Sequence, residues 1–102
     1  PLNIAAQQGH AEVARLLIGS GAVVNQAKID DWTTPLFIAA QKGYSKVVGL
    51  LIGAGAEVNK TRSNVGYTPL YIAALSGHTE VARLLIDSGA AVNQARTDNG
   101  ET

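Results

Sequence analysis

The chain has no cysteine, so no disulfide and no thiolate metal site can form. Aromatic residues are scarce, at 5%, against 46% hydrophobic residues overall. The core must therefore be aliphatic and rich in alanine. Net charge is absent too, with eight basic and eight acidic residues. That speaks against a generic binder of nucleic acid or anionic membrane, which carries a basic excess. No apolar run approaches the ~20 residues that span a bilayer. At 102 residues, one small domain with a modest core is expected. Proline is rare as well, and its three copies are regularly placed.

Pro1, Pro35 and Pro69 lie 34 residues apart. The same interval separates Gly9, Gly43 and Gly77, then Gly21, Gly55 and Gly89, then Asn25, Asn59 and Asn93. The chain is three units, 1–34, 35–68 and 69–102, and the first and third share about two thirds of their residues. Such a period signals a repeat architecture.

Each unit reads as two short helices. In the second, Thr34 is a good N-cap and Pro35 suits the first helical position. "LFIAAQK" then runs to Gly43, a natural left-handed stop. Ser45 offers a second N-cap, and "KVVGLLIGA" runs to Gly55. The third unit repeats this with Thr68, Pro69, Gly77, Thr79 and Gly89. Leu36, Ala39, Ala40, Val47, Leu50 and Leu51 fall at helical spacing. Helices this short are unstable alone, so they must stack on copies of themselves. The pairs Ala5-Ala6, Ala39-Ala40 and Ala73-Ala74 suit close helix approach. A polar stretch of about ten residues after each Val-Asn suits a hairpin-like connection.

The recurring pattern "TPLxIAAxxGHxEVxxLLIxxGAxVN" resembles the ankyrin repeat over the whole chain. The resemblance implies an all-α repeat solenoid of helix-turn-helix units, with β-hairpin or loop fingers at roughly right angles. It implies a concave face formed by the fingers and the first helices, and an intracellular, cytoplasmic setting. Three features depart from the family pattern. Each unit is one residue longer than the usual ~33, and the extra residue falls in the finger. The family's His after Thr-Pro-Leu is replaced by Asn3, Phe37 and Tyr71. Trp32 stands where the other units have Gly66 and Gly100. The finger's turn can shift onto Asp30-Asp31, since Asp tolerates left-handed backbone. Trp32 is then either a stiffener packed on the next finger or an exposed aromatic anchor.

No catalytic constellation emerges. His10 and His78 share a repeat position with Tyr44, so they read as turn residues packed beside a helix start. "GSG" at 19–21 and "GAG" at 53–55 sit at helix C-termini, where the dipole disfavours phosphate. Glu12 and Glu80 are surface residues that can pair with Arg15 and Arg83. No cofactor, metal or small-molecule substrate is expected, and the chain is read as non-enzymatic.

Differences between units collect at Asn3/Phe37/Tyr71, at Gln7-Gln8/Gln41-Lys42/Leu75-Ser76, and in the segments 26–33, 60–67 and 94–101. The units carry net charges of −1, +3 and −2, and Lys42, Lys46, Lys60 and Arg62 give the middle one its excess. The expected function is protein–protein interaction, with a rigid concave surface offered to a protein or peptide. Its expected residues are Trp32, Thr33, Phe37, Gln41, Lys42, Tyr67, Tyr71 and Leu75, with Lys60 and Arg62 supplying charge. Two rival readings are a spacer in a long array and a recruiting segment of a larger enzyme or signalling protein. Neither end carries a polar cap of the kind that closes solenoids. An internal slice of a longer array is therefore expected, with weak end-to-end self-association.

Overall fold

A computed structural model describes residues 2–25, 33–59 and 67–89. It contains six helices in three pairs: α1 (Leu2–Gln8) with α2 (Ala11–Gly19), α3 (Pro35–Lys42) with α4 (Ser45–Gly53), and α5 (Pro69–Leu75) with α6 (Thr79–Asp87). Among the described residues there is no strand element. The expected fingers, Trp32 and the Asp30-Asp31 turn lie outside the described residues, apart from Thr33 and Tyr67 at their edges.

The first helix of each later unit starts as its residues dictate. Thr34 is extended, and its hydroxyl accepts from the Phe37 amide at 3.3 Å. Thr68 does the same for the Tyr71 amide at 3.0 Å. Each satisfies one of the amides left over at a helix start. Gly43 ends α3 in the left-handed region, at φ 78°. The Gly43 and Tyr44 amides then donate to the Ala40 and Ala39 carbonyls, which closes the helix end.

The second helices begin differently from expectation. Ser45 and Thr79 are not the caps but the first helical residues. The cap positions belong to Tyr44 and His78, neither of which makes a side-chain cap bond. Their carbonyls accept from Val48 and Ala82, so helical bonding has already begun at them. Their rings point to other work, described below. The second helices finish on a left-handed glycine, as in α2, where the Gly21 and Ala22 amides donate to Ile18 and Leu17.

The helix pairs stack. The first helices form one row, α1 on α3 on α5, and the second helices form another, α2 on α4 on α6. The core runs through both rows. Leu36, Ala39, Ala40, Val47, Val48 and Leu51 of the middle unit are all essentially buried. The alanines let the rows approach closely. Side chains of the Leu and Val type gain about 1.5–3 kcal/mol each on full burial. That gain comes from neighbouring units, which is why such short helices persist.

Candidate functional site: the outer turn of the first helices

The middle helix α3 is buried from Pro35 through Ala40 and reaches solvent only at Gln41 and Lys42. This separates the expected site residues into two groups. Thr33 and Phe37 are 5% and 2% exposed. Phe37 belongs to the hydrophobic core rather than to the surface. The reason lies in position along the stack. Phe37 has a unit on each side, whereas its counterparts Asn3 and Tyr71 belong to outer units and are half-buried. Neither Thr33 nor Phe37 offers a partner much area as the chain stands.

Gln41, Lys42 and Leu75 are exposed. Gln7, Gln41 and Leu75 occupy the same position in α1, α3 and α5, which pack side by side. Two glutamines and a leucine thus project in register from one row of helices, and the residues after them, Gln8, Lys42 and Ser76, all differ. Tyr71 lies one turn before Leu75 on α5, a spacing that places both on one helix face. Its ring stacks on Tyr67, with centroids 4.8 Å apart and planes 17° from parallel. Both tyrosines are half-buried. The structure therefore gathers Tyr67, Tyr71 and Leu75 at α5, with Gln41 and Lys42 at the end of the neighbouring helix. Trp32, Lys60 and Arg62 lie outside the described residues.

The surface around this row is ordinary in its chemistry. Arg15 pairs with Glu12, and Arg83 lies 3.6 Å from Glu80, as their spacing predicted. The hydrogen bond from Arg15, and then its charge, hold the Glu12 carboxyl below its usual range. Both partners are exposed, and such pairs add little. Among the described residues, no group of three or more His, Cys, Asp or Glu is placed to hold a metal. No helix among them is long and apolar enough to cross a membrane.

Two sets of inter-unit ties hold the row in place. Asn25 reaches into the next unit, where its Nδ2 donates to the Gly55 carbonyl at 3.3 Å and its Oδ1 accepts from the Glu57 amide at 2.7 Å. This gives the repeated asparagine a physical role. His78 reaches back instead, and its Nε2–H donates to the Gln41 carbonyl at 3.0 Å. Its ring lies so close to Gly43 that a Cβ there would fall 2.6 Å from Nδ1. Tyr44 covers Gly9 in the same way, with a Cβ there only 2.9 Å from Cζ. The repeated Gly-His and Gly-Tyr pairs are thus halves of two different joints. The glycine receives the ring of the following unit, and the ring serves the glycine of the preceding one. Sequence reading placed these rings beside a helix start but missed the partner glycine 35 residues earlier.

Comparison with known proteins agrees with this architecture. A family model described as ankyrin repeats, in three copies, matches residues 2–98. A search of curated proteins found no match to the chain.

Proposed function

The chain belongs to the ankyrin repeat family, whose arrays are generally non-enzymatic protein-interaction modules, and we propose that it binds a protein or peptide along the outer turn of its first helices. The binding strip is Gln41 and Lys42 of α3 with Tyr71 and Leu75 of α5, flanked by Tyr67. Trp32, Lys60 and Arg62, which lie outside the described residues, are included in the proposal on the sequence alone. The observation that carries this reading is the exposed outer turn, which reads Gln7-Gln8, Gln41-Lys42 and Leu75-Ser76 in successive units, on a framework of like buried residues. Ala5, Ala39 and Ala73 repeat and are buried, whereas the pairs Gln7-Gln8, Gln41-Lys42 and Leu75-Ser76 differ and are exposed. The mechanism is rigid presentation. Side chains on packed helices lose little further freedom on binding, so less of the interaction energy is spent on ordering. Leu75 supplies apolar area, the stacked tyrosines supply a flat amphipathic surface, and Lys42 favours an acidic neighbour in the partner.

A second reading has an observation of its own. Phe37 is buried and Tyr67 stacks on Tyr71, which suits a spacer whose aromatics stiffen the array. One experiment separates the two. The chain is used as bait beside Lys42→Glu/Leu75→Asp and beside Arg83→Ala, which alters an exposed residue of α6 outside the strip. Circular dichroism verifies that all three fold. A protein retained by the parent and by Arg83→Ala, but lost by the double variant, supports the strip. Equal retention by all three places binding elsewhere. Absence of specific capture favours the spacer.

A further inference from the structure

The outer turn of the first helices is open because of the direction in which it points. Gln41 and Lys42 have a unit on each side and are still exposed. Gln7-Gln8 and Leu75-Ser76, at the same repeat positions, are exposed as well. These positions therefore face away from the stack at every level. Tyr67 and Tyr71 differ in this respect, since their middle-unit counterparts Thr33 and Phe37 are buried. The six residues Gln7, Gln8, Gln41, Lys42, Leu75 and Ser76 are what the stack itself leaves open.

Their chemistry is one-sided. Three are amides, one is an ammonium and one is a hydroxyl, and none is a carboxylate. Among the described residues, none of these polar side chains takes part in a hydrogen bond or ion pair. The amides and the hydroxyl can donate or accept, the ammonium only donates, and no group is an obligate acceptor. Such a set suits a ligand rich in carbonyls and carboxylates and poor in N–H groups.

Spacing narrows the ligand's backbone. Corresponding residues of α1, α3 and α5 are separated by the distance between packed helices, about 8–10 Å. Ala5, Ala39 and Ala73, buried along the row, hold the helices toward the short end of that range. A polyproline II segment turns once in three residues and rises about 9 Å in doing so. It presents every third side chain to successive units. An extended strand sets same-face residues about 7 Å apart, and its every-third residue points away. An α-helix laid along the row comes near only at a seven-residue interval, about 10.5 Å, and overshoots. Polyproline II also has no internal hydrogen bonds, so its carbonyls are open to donors, and proline brings no N–H.

We propose that the partner docks as a proline-rich polyproline II segment lying along the row of first helices, one turn per unit. The inference rests on the binding strip proposed above and names what fills it. An acidic residue of the segment meets Lys42, and an apolar residue three positions away meets Leu75. The residue three positions to the other side of the acid meets Gln7-Gln8. The carbonyls between accept from the glutamine amides. The contacts span about 19 Å of the segment. Such a segment is already ordered when free, so binding costs it little entropy.

A phage-displayed library of random peptides, each about 12 residues long to cover three units at this period, tests the proposal. It is selected on the chain, and the enriched peptides are synthesised and titrated by fluorescence anisotropy. The titrations use the parent, Lys42→Glu/Leu75→Asp and Arg83→Ala, with folding checked by circular dichroism. All three substituted positions are exposed. The enriched peptides should be rich in proline, with an acidic and an apolar residue three positions apart. The double variant should weaken them about ten-fold or more, because it sets like charges together. Arg83→Ala should change binding about two-fold or less. Peptides that the double variant loses, but that lack proline or repeat every two or seven residues, overturn polyproline II docking and leave the strip standing. Peptides that bind the parent and the double variant alike overturn both, as does a library from which no peptide is enriched.

Discussion

The loop at Gly43 and the loop at Gly77 share backbone conformation but differ in surroundings. Both glycines are left-handed, at 78° and 74°, and both follow a short helix entered through Thr-Pro. One has a histidine ring pressed on it, and the other faces a cavity. The comparison separates two demands on one residue type. The turn itself requires glycine, because a side chain at positive φ meets its own backbone. The close approach of the next unit requires it a second time. The first demand is local and occurs in every unit. The second exists only where a neighbour is present.

The largest test contrasts a buried position with its own counterpart at the end of the stack. Ile38→Ala should cost about 2–5 kcal/mol, the range for an isoleucine removed from a packed interior. Ile4→Ala, at the same repeat position, should stay within about 0.5 kcal/mol, as surface changes do. Urea unfolding of the two variants measures both. Similar losses would mean that the first unit is packed as closely as the middle one.

The glycines come next. Gly77→Ala should cost about 1–2 kcal/mol, the left-handed penalty alone. Gly43→Ala should cost more, because the His78 ring must move and its bond to Gln41 is worth a further ~0.5–1.5 kcal/mol. In a His78→Ala background the two costs should converge. If they remain apart, the ring is not what distinguishes the loops.

The smallest effect has the opposite sign. Gly49 lies inside α4, has ordinary helical backbone, and a Cβ there would meet nothing within 4 Å. Neither demand applies to it. Gly49→Ala should therefore raise stability by about 1 kcal/mol, read as a higher urea midpoint. Nothing in the structure explains why this position is not already alanine.

Much of the fold was legible before the structure. The Thr-Pro starts, the glycine stops and the apolar spacing located every helix of the later units to within a residue or two. Those signals act within a few residues, so they survive being read one unit at a time. The cap of the second helix was read wrongly. Ser45 and Thr79 are better caps by residue type than Tyr44 and His78. The choice went to the residues whose rings tie adjacent units, and that advantage is invisible within a single unit. The candidate site was legible in part. Variation between units pointed to Gln41, Lys42, Tyr71 and Leu75, which the structure leaves at or near the surface. The same variation pointed equally to Phe37 and Thr33, which are buried. Variation marks where the stack tolerates change, and a core position flanked by unlike neighbours can also change.

The sequence by itself determined the repeat, its 34-residue period, the two helices of each unit and the left-handed glycines between them. These follow from backbone sterics at the glycines and from the recurrence of apolar side chains along each unit and from one unit to the next. Only the tertiary structure decided which copies of a repeated residue are buried, which glycine carries a ring, and where an open cavity remains. Those outcomes depend on the number of neighbours a unit has. Closely similar local sequence, differing beside the isoleucine only at Asn3 against Phe37, therefore yields a core isoleucine at position 38 and a surface one at position 4.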